Sequence, residues 1–285
     1  IRRPPRSTLS PSSAASDVYK RQEKDIIKFK DWIKPMTKSN QYRYTMAMRY
    51  IIRFGFGKRE WLEKHLRTKG KKPAPRMPKF LKMKSFYMDT LPQILDYIHS
   101  LDDLELKTFI LLKIYGQPRT GDREEERGIF GIRVGKGKSY IYEHKGELLI
   151  HVLDKGNKDW DIKLLPERLW KYLRELMQQK KYGDYLFTKY SRKELIRILN
   201  EIFNKFGIEE EINLHTLRKI GLSLSYIAGV PLEDAIAINV GWTDLSTAVN
   251  HYQGLRALAL TKEERWELVK KLDLHHLVPL SWVLS

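Results

Sequence analysis

The chain has 285 residues, of which 42% are hydrophobic, with a formal net charge of +18 and no cysteine. That length and apolar content accommodate two domains with cores and exclude a disordered chain. The missing thiols exclude disulfides, thiolate metal sites and cysteine nucleophiles, and fit a reducing, cytoplasmic setting. No uninterrupted apolar stretch is long enough to span a bilayer, so no membrane partner is expected. The basic excess points to a polyanionic partner, nucleic acid first; the plain alternative is a solvated basic surface.

Residues 1–22 are rich in Ser, Pro and Arg and lack helical or strand periodicity. They read as a non-native, adapter-like or disordered segment, not as a signal peptide, because no apolar central run is present. The segment carries Arg2, Arg3, Arg6, Lys20 and Arg21 against Asp17, so the rest of the chain keeps +14. Residues 23–68 are expected to form a small basic helical domain. Ile26, Phe29 and Ile33 share one helix face, Met48, Ile51 and Ile52 a second, and Trp61 with Leu62 a third. Residues 69–84 carry three prolines and seven cations and read as an extended basic linker suited to a phosphate backbone.

From 85 the pattern is helical again, through Ile94, Leu95 and Ile98, then Leu104 to Tyr115. Ile129 to Val134, Ser139 to Tyr142, Glu147 to Leu153 and Trp160 to Leu165 read as short strands. Turns at Gly135-Lys136-Gly137, Lys145-Gly146 and Gly156-Asn157 make a small antiparallel sheet the expectation. After Pro166 the chain is helical nearly to its end. Leu195, Ile198, Leu199 and Ile202 form one apolar stripe, and Thr261 with Glu264 forms a capping box for a last helix. His275 and His276 are assigned to a tail, within a C-terminal segment 261–285. Apart from His215, the histidines have no metal-ligand spacing, and neither a metal nor a cofactor is expected.

Four short stretches stand out. They are YGQPRTGD at 115–122, LDKGNKDWDIKLLP at 153–166, LHTLRKIGLSLSYIAGV at 214–230 and GWTDLSTAVNHY at 241–252. His215 and Arg218 are three apart, so a helix presents both on one face. Each stretch alone is a weak signal, but the four in this order resemble the boxes of the tyrosine recombinase, or phage-type integrase, family. The resemblance spans about residues 85–260. It implies a mainly α fold with a small antiparallel sheet and two domains, a helical core-binding domain at 23–68 and an α+β catalytic domain at 85–260. By the same resemblance Arg119 is the first catalytic arginine and Asp122 its supporting acid. Lys155 is the hairpin lysine, His215 and Arg218 are the histidine–arginine pair, Trp242 stands at a position more often His, and Tyr252 is the nucleophile.

The chain also departs from the family pattern. Tyr252 lies ten residues beyond Trp242 where nine is usual, and His251 occupies the ninth position. The interval from Arg218 to Trp242 is one residue longer than is usual. Gln117-Pro118 replaces a single residue, which leaves Arg123 competing with Arg119, and Lys158 competes with Lys155 on the same hairpin. The His-Tyr ending resembles some archaeal viral integrases.

The chemistry explains the residue types. Cleaving a phosphodiester builds negative charge on the non-bridging oxygens, and two forked arginines can clamp it. A phenol with a pKa near ~10 needs a base or a positive field to attack, which His215 and the arginines supply. A lysine can protonate the leaving 5′ oxygen. Trp242 can donate only its indole N–H. The resemblance further implies a covalent 3′-phosphotyrosyl intermediate without metal or ATP. It also implies double-stranded DNA as partner, a monomer when free and a homotetramer on DNA, with the segment after Tyr252 docking on a neighbour or packing on its own domain. Rival readings are a type IB topoisomerase-like enzyme, a decayed DNA-binding relative and a basic RNA-binding module.

Overall fold

The structure, a computed structural model, describes residues 24–37, 40, 41, 44–49, 77–154, 158–162, 164–231, 249 and 254–278. The chain divides into two compact units, 1–76 and 77–285. In the first, residues 24–33 and 44–49 are helical. Ile26 and Ile33 are buried, while Trp32 and Tyr44 meet edge to face at 5.2 Å and stay exposed.

The second unit begins inside the stretch expected to be linker. Phe80 and Leu81 are buried in its core, in a short 3-10 helix, Phe80–Lys82. The Glu210 carboxylate accepts from the Lys79 and Phe80 backbone N–H groups, at 3.0 and 3.2 Å. The cations flanking Phe80-Leu81 stay at the surface, so a Lys-rich stretch still packs through its two apolar residues. The linker reading therefore fails for 77–84.

Among the described residues the unit is mainly α. The helices are α1 (Leu91–Ser100), α2 (Leu104–Tyr115), α3 (Glu167–Gln178), α4 (Arg192–Lys205), α5 (Leu214–Ile227) and α6 (Lys262–Lys271). Helix α2 is apolar nearly all round, which is the pattern of a helix with no solvent face. It is buried from Phe109 to Tyr115, and the Asp103 carboxylate caps its start by accepting from Leu106 N at 2.8 Å. Helix α4 buries the expected stripe, Leu195, Leu199 and Ile202, with Ile198 packed at its margin.

Strands β1 (Ile132–Val134), β2 (Ser139–His144), β3 (Glu147–Asp154) and β4 (Lys158–Ile162) form one sheet in chain order. Ile141, Ile150 and Ile162 pair across it and face the core. Lys145 and Gly146, both at positive φ, make the tight β2–β3 hairpin turn. The sheet is mixed and not purely antiparallel, because β1 runs parallel to β2 with Ile132 opposite Ser139. Gly135 and Gly137 both take positive φ, which lets a four-residue loop carry the chain back to the start of β1.

The C-terminal segment packs on its own unit. The Thr261–Glu264 capping box starts α6. Arg265 Nη1 donates to Tyr226 O at the end of α5, at 2.7 Å. Leu272, Leu274 and Leu277 are core residues, and His276 meets Tyr115 edge to face at 5.9 Å. His276 is therefore no tail residue. The apolar residues around it, spaced too irregularly to read as an element, draw 272–277 against α2. Among the described residues, no helix is long and apolar enough to cross a membrane.

Candidate functional site

A cavity of about 570 Å³ opens in the second unit. Lys113, Arg119, Arg127, Arg192 and Arg218 line it, against Asp122, Glu125 and Asp154, with His215 beside them. Cations outnumber acids, so the cavity suits an anion.

Three sequence segments build most of it, and Arg192 at the start of α4 adds a fourth. The first leaves α2 at Gly116 and runs through Gln117, at φ +53, to Arg119. Lys113 Nζ donates to Pro118 O. Arg119 O accepts from Ile129 N at 2.9 Å, and Thr120 O accepts from Phe130 N at 3.2 Å. The second segment is the end of β3. Gly128 N donates to Leu153 O at 2.9 Å, which sets Asp154 beside the Arg119 loop. Gly128 has φ +60, and a Cβ there would lie 2.5 Å from Arg119 O, so this close approach requires glycine.

The third segment is α5. The Asn213 side chain caps it by accepting from His215 N at 2.9 Å and Thr216 N at 3.0 Å. One turn then carries both His215 and Arg218 to the cavity. Helix α5 crosses α2 at Gly221, where a Cβ would stand 1.9 Å from Ile114 O. The absent side chain lets the backbones touch and brings Arg218 near the Arg119 loop.

Arg119 Nε pairs with Asp154 Oδ2 at 3.0 Å, with the Asp154 side chain only 4% exposed. Arg218 is 2% exposed. Burial pushes its guanidinium down to about 9; Asp154 opposes the shift and Arg119 adds to it. The His215 ring keeps an accessible edge, yet protein lies around the rest of it. Desolvation, then Lys219, Arg218, Lys113 and Arg119, push its imidazole down to about 4. His215 is therefore neutral at neutral pH and able to accept a proton.

The competition between the two arginines has a geometric answer. Arg123 points away from the cavity, donating from Nε and Nη2 to Phe187 O at 3.2 and 3.0 Å and stacking over Phe130. It anchors a loop, whereas Arg119 lines the cavity. Asp122 and Asp154 make different contacts. Asp122 borders the cavity, but its Oδ1 accepts from Glu125 N at 2.8 Å and closes its own turn. The acid paired with Arg119 is Asp154.

The structure thus gathers Arg119, His215 and Arg218, with Asp122 at the border. Lys155, Trp242 and Tyr252 lie outside the described residues. Asp154, Lys113, Arg127 and Arg192 escaped the sequence reading. Lys113 had a visible signal, a lone cation inside the apolar run Phe109 to Tyr115. The others became visible only through long-range packing. Among the described residues, no three His, Asp or Glu gather as a metal-holding cluster.

No family model and no curated protein matches the chain. Solved structures do. A XerA recombinase is 16% identical, with 87% of this chain and 82% of that one covered and a TM-score of 0.44. The Tn1549 transposon integrase (residues 82–397), in complex with circular intermediate DNA, is 11% identical, with 90% and 95% covered and a TM-score of 0.46. The integrase from mycobacterium phage Brujita is 16% identical, with 85% and 83% covered and a TM-score of 0.38. The structures to which this chain is similar are recombinases and integrases.

Proposed function

We propose that this chain is a site-specific DNA recombinase or integrase that cleaves and rejoins strands through Tyr252. One observation carries the reading. Arg119, His215 and Arg218, from segments almost 100 residues apart in sequence, line one cation-rich cavity whose β3 wall ends one residue before Lys155.

In this reading the scissile phosphate docks in the cavity. Arg119 and Arg218 clamp its non-bridging oxygens and hold the charge that grows as the phosphorus becomes five-coordinate. Neutral His215 takes the phenol proton as the Tyr252 oxygen attacks. A phosphorus–oxygen bond forms to tyrosine, and the bond to the 5′ oxygen breaks. Lys155 delivers a proton to that oxygen, which leaves as a 5′-hydroxyl. The Trp242 indole N–H donates to the phosphate. A partner strand's 5′-hydroxyl then attacks the 3′-phosphotyrosine and releases the enzyme. Bond energy is conserved, so ATP has no role. Four protomers on two duplexes would supply the exchanging strands, and the free chain would be a monomer. Phosphate contacts would dominate affinity, so binding weakens steeply as salt rises.

The test is covalent trapping on nicked duplexes drawn from the DNA flanking the coding sequence. The reading expects an adduct without added metal or ATP that is absent in Tyr252→Phe. Tight, salt-sensitive binding with no adduct would instead indicate a non-catalytic DNA-binding relative. Relaxation of supercoils without strand exchange would indicate a type IB topoisomerase-like enzyme.

A further inference from the structure

Lys113 sits where a lysine is physically expensive. Its neighbours along α2 are Phe109, Ile110, Leu111, Leu112, Ile114 and Tyr115, all buried, and Lys113 itself is 1% exposed. Burying an ammonium is unfavourable, and an apolar side chain of similar volume is often neutral or stabilising at such a place. The charge surroundings add to the difficulty. Burial first, then Arg218, Arg192 and Arg119, hold the lysine well below its ordinary range, with Asp154 opposing them.

Beside the charge of Asp154, one directed contact offsets this cost. Lys113 Nζ donates to Pro118 O, the carbonyl immediately before Arg119. Gln117, held at φ +53, donates from Nε2 to Ser225 Oγ on α5 at 3.2 Å. Arg119 O is fixed from the far side by Ile129 N. The backbone carrying Arg119 is thus tied at three successive residues, and the Lys113 tie comes from a side chain that itself lines the cavity.

We propose that Lys113 is a positioning residue of the anion cavity, its buried amino group donating to the Pro118 carbonyl so that Arg119 is presented to the bound phosphate. The inference rests on the strand-cleaving reading for its effect on rate, but not for its effect on Arg119 itself. A purely structural lysine would behave differently, because removing it would alter stability alone.

The test uses the full chain with Lys113→Met, which keeps the volume and removes the donor. The expected protein melts at or above the parent temperature and binds duplex DNA within about threefold of the parent. It forms the trapped adduct about tenfold or more slowly, since misplacement of a clamping group lowers the rate without lowering affinity. Because the chain has no cysteine, Lys113→Cys can be aminoethylated in denaturant and refolded. Restoring an amino group at that reach is expected to restore the rate. The readout independent of chemistry is exchange of the Arg119 Nε–H, which Lys113→Met should accelerate about tenfold as the loop loosens. Parental cleavage and parental exchange in a stable Lys113→Met would overturn the proposal. So would failure of Lys113→Met to fold, which would make the lysine structural. If the parent itself forms no adduct, the strand-cleaving reading fails, and the exchange measurement still decides the role of Lys113.

Discussion

Gly221→Ala tests the packing that assembles the cavity. A Cβ at residue 221 would stand 1.9 Å from Ile114 O and 2.7 Å from Gln117 Cγ. A carbon and a carbonyl oxygen tolerate about 3.2 Å at closest, so α5 must withdraw from α2 by about 1.3 Å. The obstacle is backbone, which cannot rotate aside as a side-chain tip would. Alanine gains about 1 kcal/mol of helix propensity over glycine, while forced overpacking in a core costs about 1–3 kcal/mol. Separating two buried helix faces by this distance also leaves thinly packed space, so a net loss of about 2 kcal/mol is expected. In a unit of about 200 residues that lowers the melting temperature by about 4–8 °C. The functional effect should be larger. Arg218 rides on α5 and Arg119 on the loop leaving α2, and a displacement near 1 Å between catalytic groups lowers rate by about 100-fold. Circular dichroism melting and the rate of adduct formation measure the two effects. Gly207→Ala is the control. It stands in open space at φ +78, so only the local strain of about 1–2 kcal/mol should appear, with no added defect in cleavage. A Gly221→Ala protein that melts no lower than the parent and cleaves at its rate would refute the close crossing of α2 and α5.

Arg119→Ala and Arg123→Ala should separate the two arginines: the first loses cleavage by about 100-fold or more with little change in melting. The second loses about 1–3 kcal/mol of stability, because the Phe187 carbonyl forfeits its charged donors. The reverse pattern in urea titrations and trapping assays would exchange the two roles. Asp154→Asn keeps the shape and removes the acid paired with Arg119 among the described residues; a drop of about 1–3 kcal/mol is expected, discounted for the solvent at Arg119. An unchanged urea midpoint would remove Asp154 from the charge balance of the cavity. His215 has its folded pKa at about 4 against 6.5 in a free chain, so the neutral ring's contribution to stability is whole above about pH 6.5 and is lost as pH falls towards 4. Its ring carbon resonance should stay at the neutral position at pH 5.5 in DNA-free protein. A midpoint near 6.5 would mean that neither burial nor the surrounding cations act on the ring.

Much of the architecture is a local matter and could be read from spacing. The 3.6-residue stripe of α4, the Thr261–Glu264 capping box and the Lys145–Gly146 turn each depend on residues within a few positions of one another. The same holds for His215 and Arg218, because one helical turn presents both regardless of what else folds. Other features depend on which distant segment arrives beside a residue. Phe80 and Leu81 lie among lysines and prolines, yet they are core, with Glu210 holding the backbone at Lys79 and Phe80 from about 130 residues away. That Arg119 lines the cavity and Arg123 does not turns on the Phe187 carbonyl, more than 60 residues away from Arg123. The pairing of Arg119 with Asp154, and not with nearby Asp122, turns on the Gly128–Leu153 bond that draws β3 to the loop. The amino-acid sequence by itself thus determined most of the elements and the pair on α5. Only the tertiary structure decided which of many cations meet at one cavity, because electrostatic partnership is set by distance in space, which local periodicity does not encode.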